Sequence, residues 1–261
     1  MPKINELEVL TDFHCLVYGK AGTGKTIFAA GFTPPVLIVD CDGGVLSVKT
    51  TNLLTVEQKE NIWYETITET FYEEGKPGRV APTAFKRVEK IFEELDRSGS
   101  YTDPTSKEKT EPKTVVLDSL STFSDYALDD ALWEANAINA VKVTQPQWGA
   151  QIRRIQRIIG YGRSLKSAHF VCVAHEQMQK DEHSGRIFCL PLTTGKFAQR
   201  IGSHFDEYYQ ATVETTLSGS EYKLLTHPSG MITARTRLDL PNKIKTDFKE
   251  IKKHLKERFG V

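Results

Sequence analysis

Apolar residues along this chain cluster in short runs, separated by polar stretches with helical spacing. Phe13-His-Cys-Leu-Val-Tyr18, Val36-Leu-Ile-Val39, Thr114-Val-Val-Leu-Asp118 and Phe170-Val-Cys-Val-Ala174 are four to six residues long. Runs of that length suit strands buried on both faces of a parallel sheet. Ile62–Thr68 reads as another strand, and Phe205–Glu214, Glu221–Thr226 and Met231–Leu238 as later, partly antiparallel ones. Between them the apolar spacing becomes helical. Ile27-Phe-Ala-Ala30 opens a helix, Pro82–Arg97 places Phe85, Val88, Ile91, Phe92 and Leu95 on one face, and Phe123–Ala137 continues the series. Ala150–Lys166 aligns Ile152, Ile155, Ile158 and Ile159, and Thr246–Phe259 aligns Phe248, Ile251, Leu255 and Phe259 behind Thr246 as N-cap. Ser98–Pro112 reads as a mobile surface insertion and Glu176–Lys196 as a long polar loop. The expected fold is α/β, a mostly parallel central sheet with helices on both faces and late antiparallel strands. Residues 1–241 form its core, and 242–261 a basic C-terminal helix.

Composition narrows the class. The 261 residues are 39% hydrophobic and 26% charged, ordinary for a soluble globular protein. No apolar run approaches the roughly 20 residues that span a bilayer. Met1–Thr11 lacks a basic-then-apolar secretory pattern, so the expected location is the cytoplasm. The 34 Lys and Arg balance 34 Asp and Glu, which argues against bulk coating by nucleic acid but leaves room for a local basic groove. Cys15, Cys41, Cys172 and Cys189 have no metal-ligand spacing and read as free thiols.

The strongest chemistry is Gly19-Lys-Ala-Gly-Thr-Gly-Lys-Thr26, the Walker A pattern, placed after one predicted strand and before a predicted helix. Gly19, Gly22 and Gly24 let the backbone turn so that the N–H groups of Lys20, Ala21, Gly22, Thr23 and Gly24 converge on an anion. Lys25 neutralises charge at the β- and γ-phosphates, and Thr26 offers a hydroxyl to Mg²⁺. The expected ligand is therefore ATP with Mg²⁺. Asp118, at a strand end, reads as the Walker B carboxylate that holds Mg²⁺ mainly through water. Asp42, after the second strand, is a candidate to orient the attacking water, with Asp40 as its competitor and an Asp-Gly turn as the plain alternative.

Two segments are basic. Gln151–Lys166 holds Arg153, Arg154, Arg157, Arg163 and Lys166 with no acidic residue, and Asn242–Val261 holds seven basic against three acidic side chains. Either can follow a phosphate backbone or form a solvated helix face. Trp148, Tyr161, Tyr208 and Tyr209 are candidates to stack on bases, the last two reading as core.

In this order, Val-Asp-Cys-Asp-Gly-Gly44, Val-Val-Leu-Asp-Ser119 and Val-Ala-His-Glu176 behind the P-loop resemble the RecA-like ATPases. The pattern looks most like the phage-borne single-strand annealing proteins of the "Sak four" type, over about Phe13 to Pro241. Gln147-Trp148-Gly149 and Gly195-Lys196 add to it. The resemblance implies a RecA-like core and Asp42 as the catalytic carboxylate. It places γ-phosphate sensing on His175 and Glu176, where RecA itself carries Asn-Gln. It implies DNA-binding loops at 136–146 and 177–194, with Lys180, Arg186 and Lys196 joining Arg153, Arg154 and Arg157 as DNA contacts. Arg235 and Arg237, at i and i+2 of a late strand, are implied to reach a neighbouring subunit's nucleotide.

The resulting expectation is an oligomeric, DNA-stimulated ATPase that binds single-stranded DNA and promotes annealing or recombination in a phage-infected host cytoplasm. The host single-strand-binding protein is its implied partner. The alternatives are a nucleotide-gated binding module with little hydrolysis and a small motor ATPase. A small-molecule kinase ranks low, because Gln177–Thr194 carries only one arginine, Arg186.

Overall fold

The computed structural model describes residues 12–182, 184–217 and 219–259. The N-terminal segment, residues 260–261 and the Phe259 side chain assigned to the inward helix face lie outside the described residues.

Eleven strands and eight helices are found among the described residues. The central sheet begins with β1 (His14–Gly19), β2 (Val36–Asp40) and β3 (Ile62–Thr66), and continues with β6 (Thr114–Asp118) and β7 (His169–Lys180). It is completed by β8 (Ile187–Pro191), β9 (Glu207–Thr216), β10 (Gly219–Leu225) and β11 (Lys243–Lys245). Its order is β11-β10-β9-β1-β7-β6-β2-β3, with β8 paired to β7. From β9 to β3 every neighbour is parallel, and the β9–β10, β10–β11 and β7–β8 pairs are antiparallel. The strand β7 therefore lies between the P-loop strand β1 and the strand β6 that ends on Asp118. This is the expected arrangement, a mostly parallel sheet with late antiparallel strands.

Strand periodicity builds two cores. Along β6 and β7, Val115, Leu117, Phe170, Cys172 and Ala174 face one side and Val116, Val171 and Val173 the other. The first side packs on α4 (Ala84–Ser98), α5 (Leu120–Glu134) and α6 (Gln145–Ser164) through Phe85, Phe92, Phe123, Ile155 and Ile158. The second packs on α1 (Lys25–Ala30) and α8 (Phe248–Phe259) through Phe28, Phe248, Ile251 and Leu255. Burying each large side chain of that last helix stabilises its docking by about 1.5–3 kcal/mol. The C-terminal segment is thus integrated into the sheet by β11 and into the core by α8. All four cysteines are buried and free, as expected.

Several sequence expectations change. Residues 98–112 hold an ordered hairpin of β4 (Tyr101–Thr102) and β5 (Lys109–Thr110), with Tyr101 and Thr110 buried. Asp103 Oδ1 accepts the N–H groups of Thr105 and Ser106 at 2.7 and 2.6 Å, so a polar turn stabilises what composition alone makes look mobile. The supposed polar loop from Glu176 is mostly hairpin, β7 running on to Lys180 and returning as β8. Its alternation is hidden because the strand leaves the sheet edge and only part of each face is covered. Met231–Leu238 is not a strand. It touches its neighbours through isolated bridges, Cys189 with Ile232 and Tyr208 with Arg235. Phe248 begins the last helix, and Asp247 rather than Thr246 caps it, accepting from Lys249 N at 2.9 Å. Two short helices between β2 and β3, α2 (Val45–Thr50) and α3 (Val56–Glu60), and strand β11 carry no signal that the apolar pattern displays.

Candidate functional site

The strand β1 is buried and delivers Gly19 to the C-terminal edge of the sheet. Gly22 and Gly24 then take φ of 78° and 80°, a region that side chains disfavour. Gly19 is required for a different reason: a Cβ there would lie 2.4 Å from the carbonyl oxygen of Ala211 on β9. Within the loop, Thr23 Oγ1 donates to Lys20 O at 2.8 Å. The Lys25 ammonium donates to Gly19 O at 3.0 Å and Lys20 O at 2.7 Å. Burial lowers the Lys25 pKa, against the charges of Asp118, Asp42 and Glu176, which raise it. Lys20, Ala21 and Gly22 form the exposed crest of the loop.

Directly across from this loop, β6 delivers Asp118. Thr26 Oγ1 donates to Asp118 Oδ2 at 2.6 Å. Asp118 is almost fully buried, and that burial pushes its pKa up to about 6; the Thr26 bond acts in the opposite direction. Asp40, its register partner on β2, is also buried. Its Oδ1 accepts Gly44 N at 3.0 Å, and its Oδ2 has no hydrogen-bond partner. A Cβ on Gly44 would stand 3.3 Å from both Asp118 Oδ2 and Thr26 Oγ1, so this glycine brings bare backbone against the pair. A hydroxyl and a buried carboxylate side by side are hard oxygen donors of the kind that hold Mg²⁺ together with substrate phosphates. Among the described residues no cluster of three His, Cys, Asp or Glu side chains forms a metal cage of its own. The residues therefore fit a cation that arrives with a nucleotide.

Asp40 and Asp42 separate by role. Asp40 secures the Gly43-Gly44 turn, the backbone task that the sequence left open for Asp42. Asp42 instead accepts from Thr122 Oγ1 through Oδ1 and meets His175 Nε2 through Oδ2 at 2.9 Å. Asp118 is followed by Ser119, whose hydroxyl accepts Thr122 N at 3.3 Å and caps α5. Ser121 Oγ accepts His175 N at 3.0 Å and donates to Leu192 O at 2.9 Å. Ser121 and Thr122 went unmarked in the sequence. Their only signal is a run of hydroxyls, Ser119-Leu-Ser-Thr122, directly after Asp118. His175 and Glu176 point to opposite faces of β7. Glu176 Oε2 accepts from Gln210 Nε2 at 3.1 Å.

Beside this cluster lies a cavity of about 840 Å³. Thr122 and His175 line it from the side of Asp42, and Trp148, Gln151, Thr194 and Lys196 from the side of α6 and the loop after β8.

The predicted cations fall into two groups. Arg153, Lys180, Arg186 and Lys196 are exposed. Arg154 is not free for a phosphate backbone. It is buried, its Nε donates to Asp130 Oδ2 at 2.7 Å, its Nη2 pairs with Glu134, and its guanidinium lies 5.6 Å from the Phe85 ring centroid. Arg157 pairs with Glu89 of α4. Both arginines tie α6 to its neighbours. Arg235 donates to the carbonyls of Gly202 and Phe205. Arg237 pairs with Asp206 at 2.7 Å and stays largely exposed. Because 231–238 is not a strand, the two do not share a strand face. Tyr208 and Tyr209 are core, as expected.

A family model described as an AAA domain matches residues 11–238. A search of curated proteins found no match. Among solved structures, similarity extends to a prototypical ATPase from the type III secretion system of pathogenic bacteria, at 12% identity and TM-score 0.46, covering 77% of this chain and 52% of that one. The RadB recombinase is 14% identical with TM-score 0.41, covering 84% of each chain. The flagellar accessory protein FlaH from Methanocaldococcus jannaschii is 12% identical with TM-score 0.39, covering 86% of this chain and 82% of that one. The chain spans about half the length of the secretion ATPase.

Proposed function

The chain belongs to the AAA domain family, and from that premise we propose that it binds ATP with Mg²⁺ on Gly19–Thr26, hydrolyses it, and couples turnover to single-stranded DNA. The observation that carries this reading is the 2.6 Å contact of Thr26 with Asp118, opposite a loop with two left-handed glycines and a buried lysine.

Each residue has a task. Loop N–H groups and Lys25 bind the phosphates, Lys25 exchanging its carbonyl partners for them. Thr26 and Asp118 hold Mg²⁺, which supplies charge neutralisation at the phosphoryl oxygens when bound. Asp42 orients water and takes its proton. His175 and Glu176, adjacent on β7, report the state of the site to the β7–β8 hairpin.

The DNA side of the reading rests on the resemblance and on placement. Arg153, Lys180, Arg186 and Lys196 are exposed, and Lys196 shares its cavity with Thr122 and His175, which hold Asp42. A strand bound there touches the groups that set the catalytic carboxylate. We place annealing or recombination of the phage "Sak four" type, oligomer formation and contact with the host single-strand-binding protein within the same proposal. Of the two late arginines, Arg237 is the better candidate to reach a neighbouring nucleotide, since Arg235 is occupied by backbone carbonyls. Among the described residues no helix is long and apolar enough to cross a membrane.

A second reading, nucleotide-gated binding without turnover, is favoured by one observation: both oxygens of Asp42 are engaged by Thr122 and His175. ATP turnover measured with and without single-stranded DNA, alongside mass in solution, tests the first reading. Turnover that rises with DNA in an oligomer supports it, and a monomer indifferent to DNA overturns it. Annealing that persists in both the parent and Asp42→Asn, with hydrolysis in neither, establishes the second.

A further inference from the structure

Asp42 is a loop residue on the Asp40–Gly44 turn, and a carboxylate on such a turn has rotational freedom that a water-orienting group must lose. Two side chains remove it. Thr122 Oγ1 donates to Oδ1, and His175 Nε2 meets Oδ2 at 2.9 Å. The two come from different elements. His175 lies on β7, in register with Gly19 of β1. Thr122 lies in the first turn of α5, set by the Ser119 cap at 3.3 Å. Ser119 directly follows Asp118, which contacts Thr26. The β6–α5 junction thus presents, within five residues, the carboxylate that faces the cation and the hydroxyl that faces Asp42.

We infer that Thr122 is a positioning residue for ATP hydrolysis, holding Oδ1 of Asp42 so that the carboxylate presents one fixed edge to the attacking water. This rests on the reading of Asp42 as the water-orienting group. A hydroxyl suits the task because it donates to the carboxylate without adding charge beside Asp118 and Asp40. It also leaves Asp42 a single oxygen to exchange: release by His175 frees Oδ2 for a water proton while Thr122 keeps Oδ1 in place. Among the described residues Thr122 donates from its side chain to Asp42 and from its N–H to Ser119, while the side chains of Lys25 and Thr26 donate to Gly19, Lys20 and Asp118, so the role assigned to Thr122 lies in turnover and not in nucleotide binding.

The test is steady-state ATP hydrolysis by the full chain carrying Thr122→Val, Thr122→Ala, Thr122→Ser, Asp42→Asn or Thr122→Val with Asp42→Asn, with nucleotide affinity and thermal melting measured in parallel. Losing the orientation of a catalytic group lowers kcat by on the order of 10- to 100-fold. The KM for ATP should stay within about threefold, since the lost contact acts after binding. Thr122→Ser should restore most of kcat, and the double variant should be no slower than Asp42→Asn alone, because the two residues act as a unit. Thr122→Ala repeats the measurement if Val at this half-buried site impairs folding.

Full turnover in Thr122→Val and Thr122→Ala beside an impaired Asp42→Asn overturns the role of Thr122 and leaves that of Asp42 standing. Additive losses in the double variant, or a loss confined to nucleotide affinity, also overturn it. Full turnover in Asp42→Asn removes the reading beneath it.

Discussion

Thr26 Oγ1 and Asp118 Oδ2 lie 2.6 Å apart across 92 positions of sequence. The contact joins the end of the phosphate loop to the end of a strand two places away in the sheet, with β7 between them. It forms because parallel strands bring all their C-terminal ends to one edge, where the loops that leave them meet.

Asp118→Asn keeps an acceptor for Thr26 and removes the charge. We expect the Mg²⁺-dependent part of ATP affinity to fall at least about tenfold, equivalent to about 1.4 kcal/mol. Without Mg²⁺ the variant should melt no lower than the parent, because the parent holds a buried carboxylate whose ionisation is penalised. Calorimetric titration and melting curves with and without Mg²⁺ check both halves.

Two buried groups give opposite pH responses. Asp118 has a folded pKa of about 6 against an ordinary 3.8, so its charge destabilises the fold above pH 6 and this penalty is relieved as pH falls. Since metal and proton compete for it, Mg²⁺-dependent ATP binding should weaken below about pH 6. His169, set among Phe13, Phe32 and Phe248, is lowered by burial to about 4 from 6.5. The unfolded chain takes up that proton first, so its contribution is lost as pH falls from 6.5 towards 4, by on the order of 3 kcal/mol. Denaturant unfolding of parent and His169→Gln across pH 4–7 should show a stability difference that narrows towards acid.

Arg154 and its neighbour Arg153 should part company. Arg154→Ala leaves the buried Asp130 only its longer contact with Lys86, at 3.7 Å, and should cost about 3 kcal/mol of stability. Arg153→Ala should leave stability within about 0.5 kcal/mol while weakening any single-stranded DNA binding and its salt dependence. Melting temperatures and DNA titrations at two salt concentrations separate the outcomes.

Gly19 and Gly44 should also differ. Gly19→Ala drives a Cβ to 2.4 Å from the Ala211 carbonyl and should destabilise by roughly 1–3 kcal/mol through the β1–β9 pair. Gly44→Ala meets Thr26 and Asp118 at 3.3 Å and should weaken Mg²⁺-dependent ATP binding with a smaller effect on melting. The ratio of affinity loss to stability loss in the two variants is the readout.

Much of this was legible in the chain because the signals are local. The buried strands β1, β2, β6 and the first half of β7 are continuous apolar runs, so their ends, and with them Gly19 and Asp118, fall within a residue of expectation. The glycines at 22 and 24 and the lysine between Gly24 and Thr26 follow from nearest-neighbour spacing alone. The hairpin formed by β7 and β8 was less legible. Its residues are polar where it leaves the sheet, and pairing across a turn leaves no mark in a single strand's composition.

Charge was the least transparent. Arg153, Arg154 and Arg157 read alike in sequence, yet Arg154 is buried against Asp130 of α5, Arg157 pairs with Glu89 of α4 while staying exposed, and Arg153 is exposed. The division between Asp40 and Asp42 was likewise undecidable from two carboxylates on one turn. Only the arrival of Thr122 and His175 from separate elements separated them. The amino-acid sequence by itself determined the phosphate loop and the parallel sheet, because both depend on short-range backbone preference and burial. The tertiary structure alone decided which charges are exposed and which carboxylate meets Thr122 and His175, because long-range pairing assigns those partners.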